Sequence, residues 1–288
     1  MNKDEEFLTR LEVLKKSSDF LRAKGVPSPK CDSEWLVSTS LKIKRMELYL
    51  HPEEIVEEQN IREIRSMIVR RGKREPLQHI LGSVNFAGFL IKSDERALVP
   101  RPETESLVEY ILNRIPESFE GKILDMGTGS GAILLALCSS LPSSFGIGTE
   151  RCNEALALAE ENVRLLNLQE RVVLRNLDWH QDKILEDDIS LIVANPPYLD
   201  EEEWESAQPE VKSFDPKAAL VAEDGGFYDL RKIIACAGET LATDGLLALE
   251  FGICHADQIE TALRPKFKDI EILKDLSRYR RFAIAKKS

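Results

Sequence analysis

The chain has 288 residues, 43% hydrophobic and 31% charged, with a formal net charge of −11; these are ordinary values for a soluble globular enzyme with room for two domains. The charge is uneven: residues 1–80 hold 16 Lys and Arg against 14 Asp and Glu, and residues 81–288 hold 23 against 36. An acidic region of that size repels phosphate backbones and disfavours a duplex-binding protein, and the longest uncharged stretch, Met126 to Thr149, carries five Gly and a Pro and so makes no membrane span.

The N-terminal Met1-Asn2-Lys3-Asp4-Glu5-Glu6 lacks the apolar core of a secretion signal. Cysteines at 31, 138, 152, 236 and 254 form no C-x-x-C pair, and no histidine stands at ligand spacing. Reduced thiols, a cytoplasmic setting and no structural metal are expected. The four histidines are scattered and read as structural or solvated.

Residues 1–82 read as a helical domain. Phe7, Leu8, Leu11, Leu14 and Leu21 recur at helical spacing until Gly25 and Pro27 stop the run. Asp32 or Ser33 caps a second helix carrying Trp35, Leu36 and Leu41, and a longer one after Pro52 has the stripe Ile55, Ile61, Ile64 and Ile68. It ends in Arg70, Arg71, Lys73 and Arg74, a cluster that suits a helix C-terminus and can also serve docking. Residues 83–99 turn β-like, with Gly88 as the turn of a linking hairpin.

Pro100-Arg101-Pro102-Glu103-Thr104-Glu105 then opens a helix with proline and acids in its first turn, a purely structural role for Glu103 and Glu105. Across residues 100–288 strand candidates at 122–126, 145–149, 172–176, 189–194, 246–251 and 269–273 alternate with helical patterns. That order implies a parallel sheet covered on both faces. A last strand at 281–285, a short turn after 269–273, reads as antiparallel.

Two segments carry chemistry. The first runs from Ile123 through Asp125, Gly127, Thr128, Gly129, Ser130 and Gly131 to Ala132: a strand, a glycine turn and a helix start whose amides face a ligand. Its glycine spacing is shared by NAD and S-adenosylmethionine (SAM) sites, and Glu150, ending the next strand, can hold ribose hydroxyls in either. Asp125 favours SAM, because a carboxylate suits its sulfonium and ammonium groups and would repel a pyrophosphate. Asp178 and Trp179 follow the next strand, where a carboxylate can take the adenine amino group and an indole can cover the ring; Asp178 can equally be a solvated strand end.

The second is Asn195-Pro196-Pro197-Tyr198, where two prolines end a strand and hold the preceding residue extended. The Asn195 side-chain oxygen and the Pro196 carbonyl form a pair of acceptors for the two N–H groups of a planar amide or amine, and Tyr198 can lie against the planar group. Nothing in methyl transfer to such a nitrogen demands a catalytic histidine. Glu250, ending a later strand on the same edge, is either a supporting acid or a plain terminus.

With Glu75–Gly82, Leu98–Glu105 and Phe214–Leu220, these segments resemble the release factor glutamine N5-methyltransferases (PrmC, also called HemK) from about Leu36 to the C-terminus. The resemblance implies a small helical docking domain joined by a β-hairpin to a seven-stranded, Rossmann-like SAM-dependent methyltransferase domain. It implies methyl transfer to the glutamine of the Gly-Gly-Gln motif in class 1 peptide chain release factors, a protein-methylation step in translation termination. By matching position, Gly127–Gly131, Glu150, Trp179 and Asn195 contact SAM and Asn195–Tyr198 the glutamine. Glu150 departs from the usual Asp, and His255 from an expected Gln. The alternative is an N6-adenine or exocyclic-amine methyltransferase of DNA or RNA, which uses the same corner on a flipped base.

Overall fold

The computed structural model describes residues 8–182, 186 and 188–288. The chain divides into two compact units between Gly82 and Ser83.

The first unit is helical. Helix α1 (Arg10–Ala23) starts at Thr9, whose hydroxyl accepts from the Glu12 amide while the Glu12 carboxylate accepts from the Thr9 amide. This reciprocal cap satisfies two backbone donors that a helix start leaves open. Of the expected stripe, Phe7 lies outside the described residues, Leu8 precedes the helix but is buried, Leu14 and Leu21 are buried, and Leu11 is half exposed. Helix α2 (Pro29–Leu41) begins three residues before the expected cap, since proline tolerates the first turn, where its missing N–H is not needed. Asp32 is therefore inside the helix, buried, with its carboxylate 2.7 Å from Arg71 Nε. Trp35 lies on the surface, with the Arg45 guanidinium 4.8 Å from its ring centre.

A single turn, α3 (Glu47–Leu50), leads to α4 (Glu58–Gly72), where Ile61, Ile64 and Ile68 are buried as the spacing predicts. Ile55 stays outside the helix and exposed, in an isolated bridge with Thr9. The arginines at the end of α4 have structural partners: Arg70 holds the Glu75 carboxylate with two nitrogens, Arg71 pairs with Asp32, and Arg74 donates to the Gly25 carbonyl. Helix α5 (Leu77–Leu81) closes the unit at Gly82.

The second unit opens with a hairpin, β1 (Ser83–Phe86) and β2 (Phe89–Lys92), turning at Ala87-Gly88. The β pattern expected to Val99 ends at Lys92. Beyond it Asp94 takes the Arg96 amide (3.1 Å) onto its own carboxylate, a local turn that competes with a strand. Next come α6 (Pro102–Leu112), β3 (Lys122–Met126), α7 (Ala132–Ser140), β4 (Phe145–Glu150), α8 (Asn153–Leu165), β5 (Val172–Asn176) and β6 (Ile189–Ala194). Two short helices, α9 (Glu201–Glu205) and α10 (Pro209–Phe214), a 3-10 turn (Lys217–Ala219) and α11 (Glu223–Gly226) lead into α12 (Tyr228–Thr240). The unit ends with β7 (Leu241–Glu250), α13 (Ala256–Leu263), β8 (Phe267–Lys274) and β9 (Arg280–Lys287).

The sheet has seven strands in the order β5-β4-β3-β6-β7-β9-β8, parallel through β7, with β9 antiparallel to both its neighbours. The last strand thus pairs with β8 as expected and also inserts between β8 and β7. Strand residues alternate between two apolar layers. Ile123, Leu191 and Val193 face one with Leu107, Ile111 and Leu134; Leu124, Ile192 and Ala194 face the other with Leu230, Ile233 and Ile259. Each large aliphatic side chain fully buried there contributes roughly 1.5–3 kcal/mol. No described helix is long and apolar enough to cross a membrane.

Candidate active site

Strand order brings the motif residues together. The chain runs outward from β3 to β4 and β5, then returns to place β6 on the other side of β3. That reversal leaves a crevice at the carboxyl ends of β3 and β6, where open α/β sheets take ligands. The registers Met126↔Thr149, Met126↔Ala194 and Ala194↔Leu249 put Glu150, Gly127, Asn195 and Glu250 one step past paired positions. Four residues more than 120 apart at their extremes in sequence therefore occupy one row along the edge.

Gly127, Gly129 and Gly131 all have positive φ, at 79°, 55° and 84°. The amides of Gly127 and Thr128 both donate to the Thr149 carbonyl at 2.9 Å, which folds the turn back over β4. The Glu150 carboxylate accepts from the Gly129 amide (3.1 Å) and the Cys152 amide (2.9 Å). Trp179 leans on the turn: a Cβ at Gly127 would lie 3.0 Å from its ring carbon Cη2. The indole Nε1 donates to Asp229 Oδ1 at 2.9 Å, and the same buried oxygen lies 2.5 Å from His180 Nε2. Neither Asp229 nor His180 stands out in the sequence as a site residue. Asp229 reaches Trp179 from helix α12, 50 residues further along the chain.

These groups wall one open cavity lined by Gly127–Ser130, Glu150, Trp179, Asn195, Pro196 and Pro197, together with Arg101 and Thr104. Two expected cofactor residues are not on that wall. Asp125 is 1% exposed and lies behind the turn, accepting the Thr128 hydroxyl at 2.7 Å. Burial pushes its carboxyl up to about 7, with the Thr128 hydroxyl pulling the other way. Asp178 is a turn residue, taking the His180 amide (3.0 Å) and the Gln181 side chain (3.1 Å).

The Asn195–Tyr198 corner is pinned from both ends. The amides of Tyr198 and Leu199 donate to the Leu220 carbonyl at 3.1 and 2.9 Å, and the Ala222 amide donates to Leu199 at 3.0 Å. Asn195 Nδ2 donates to Thr104 Oγ1 at 3.4 Å. Among the described residues, neither Asn195 Oδ1 nor the Pro196 carbonyl oxygen accepts a hydrogen bond, and both residues line the cavity. Tyr198 departs from expectation. Its hydroxyl turns inward to Glu250 Oε1 at 3.0 Å, with Arg281 Nη1 at 3.4 Å, and its ring is not on the cavity wall. Burial and the Glu250 carboxylate hold the phenol well above the ordinary tyrosine range, so it keeps its proton.

S-adenosylmethionine fits this cavity. Glu150 keeps lone pairs for ribose hydroxyls beyond the two amides it already accepts. Of the lining guanidiniums, Arg96 is committed to Asp94 with Glu161 and Arg101 to Asp215, and Arg151 donates to the Ala218 carbonyl. Fold and cavity together define the class: the chain is a SAM-dependent methyltransferase.

Comparison with known proteins narrows this. A family model described as the PrmC N-terminal domain matches residues 12–82, and one described as the methyltransferase small domain matches residues 104–283. The release factor glutamine methyltransferase of Fusobacterium nucleatum is 38% identical over 96% of this chain and 79% of its own length. That of Deinococcus radiodurans is 36% identical, over 96% of this chain and 98% of its own. The chain belongs to the release factor glutamine methyltransferase family. More distant likeness supports the fold alone: the catalytic domain of human Mettl16, at 15% identity, superposes with a TM-score of 0.55 over 82% of this chain and 84% of its own.

Proposed function

We propose that this enzyme transfers a methyl group from S-adenosylmethionine to the side-chain amide nitrogen of the glutamine in the Gly-Gly-Gln motif of class 1 peptide chain release factors, in the cytoplasm and without direct nucleic-acid contact. The observation that carries the reading is the pair of unoccupied acceptors at Asn195 and Pro196 on the cavity wall. A primary amide nitrogen is a poor nucleophile because its lone pair is delocalised into the carbonyl. Asn195 Oδ1 and the Pro196 oxygen accept its two N–H groups and turn the lone pair toward the cavity. The cofactor supplies an electrophilic methyl on a positively charged sulfur when bound. Gly127–Gly131, Glu150 and Trp179 would hold it, and the nitrogen, on gaining the methyl, releases one of its N–H protons to solvent. Alignment of the reacting atoms can contribute up to about 7–11 kcal/mol. Release-factor docking falls to the helical unit.

Asn195→Ala tests the role directly. Turnover on a release factor falls about 10²–10³-fold, as for loss of one preorganised polar contact, with SAM affinity within a few-fold by calorimetry. Unchanged turnover, or label from SAM appearing on nucleic acid and not on the release factor, overturns the reading.

A further inference from the structure

The Asn195 amide can face either way: nothing in a strand end followed by two prolines decides whether its oxygen or its NH₂ points into the cavity. Only one of the two orientations offers an acceptor to the glutamine. The structure decides this through a buried chain of hydrogen bonds that starts at Glu250. Its carboxylate is 1% exposed at the end of β7. Oε2 accepts the Thr104 hydroxyl at 2.7 Å and Oε1 accepts the Tyr198 hydroxyl at 3.0 Å.

Burial raises the Glu250 carboxyl above the ordinary range, yet both of its oxygens receive a hydroxyl proton; with the single proton of Thr104 directed at Glu250, the Thr104 oxygen serves its other neighbour as an acceptor. That neighbour is Asn195, which must then present Nδ2, at 3.4 Å, and Oδ1 is left for the cavity. The Tyr198 hydroxyl completes the frame from the other end of the tetrapeptide, and Arg281, whose Nε lies 3.1 Å from the buried carboxylate of Asp275, reaches it at 3.4 Å.

We infer that Glu250 is a positioning residue that sets the polarity of the Asn195 amide through Thr104, and so selects a substrate nitrogen carrying N–H groups. This inference rests on the role proposed for Asn195. In Glu250→Gln the new amide presents one donor and one acceptor, so one of the two hydroxyls must reverse and Asn195 is no longer held one way. In Thr104→Val the shape is retained and the link is cut.

The test uses the full chain, a release factor and labelled SAM, with melting temperature and SAM affinity followed alongside. Thr104→Val and Glu250→Gln each lower kcat about 10–100-fold, the range for removing an outer hydrogen-bond partner of a site residue, while SAM affinity changes less than about threefold. Thr104→Ser keeps the hydroxyl and restores most of the turnover. In an Asn195→Ala background Thr104→Val has no further effect, because residues acting as one unit are not additive. If Asn195→Ala is crippled while Thr104→Val turns over normally, or if the two losses multiply, the relay is wrong and the role of Asn195 stands. If Asn195→Ala itself turns over normally, both fall together.

Discussion

Gly226 lies outside the cavity, yet its substitution should disable the enzyme. Both Gly225 and Gly226 have left-handed backbones, with φ of 61° and 83°, so alanine at either position costs about 1–2 kcal/mol in conformation. Their surroundings differ. A Cβ at Gly225 meets nothing within 4 Å, whereas one at Gly226 would lie 2.2 Å from the Tyr198 carbonyl oxygen and 2.9 Å from His255 Cε1. Carbon–oxygen contacts normally sit at about 3.3–3.6 Å, so roughly 1 Å of movement is forced. Retreat toward His255 is blocked, because that ring is itself held at 2.8 Å to the Gly225 carbonyl. The tetrapeptide must move instead. A displacement of about 1 Å at a reacting group is worth on the order of 10²-fold in rate. With urea denaturation to confirm folding, kcat on a release factor should fall about 10²-fold further in Gly226→Ala than in Gly225→Ala, the size of effect a displaced reacting group produces. Equal turnover in two folded variants would refute the claim that this carbonyl fixes the corner.

Three further outcomes follow from the geometry. Asp229→Ala frees the Trp179 indole, and loss of a hydrogen bond to a charged group of about 1.5–3 kcal/mol weakens SAM binding about tenfold or more by calorimetry; unchanged affinity would remove Trp179 from the cofactor site. Asp125, raised to about 7 from an ordinary 3.8, is a folded-state acid that resists ionisation. Its penalty is absent below pH 4, grows as pH rises to 7 and is full above it. Asp125→Asn should therefore match the parent near pH 4 and be more stable above pH 7, by at most about 4 kcal/mol in urea titrations; equal stability at pH 8 contradicts this. In the helical unit, Asp32→Ala removes the carboxylate that Arg71 Nε meets at 2.7 Å, while Arg71 keeps the Glu75 carbonyl; loss of that charged hydrogen bond should cost about 1.5–3 kcal/mol of the unit's stability, whereas no loss would mean the pair is solvated.

Much of this was readable from residue order. Alternating apolar runs gave the parallel strands, because strands buried on both faces admit little else. The Asn195–Tyr198 segment marked itself by two prolines that no central strand tolerates. Legibility failed where partners are distant in sequence. Asp32 looked like a helix cap until Arg71, 39 residues on, proved to be its counter-charge. Asp125 and Asp178 stood at ligand-like positions, yet one is turned behind the glycine turn and the other closes a local turn. Thr104 was hidden between two acids whose helix-start role accounted for the whole segment, and its link to Glu250 spans 146 residues. Spacing reports which backbone positions share an edge; it does not report which way a side chain turns once there.

At the centre of the reaction, two oxygen acceptors at Asn195 and Pro196 present a glutamine amide for methylation. Tandem mass spectrometry of a class 1 release factor treated with the enzyme and SAM tests it most directly. One added methyl, confined to the side-chain nitrogen of the Gly-Gly-Gln glutamine and lost with Asn195→Ala, is the expected result. A methyl on any other residue, or an unmodified factor beside active enzyme and intact cofactor binding, would contradict it.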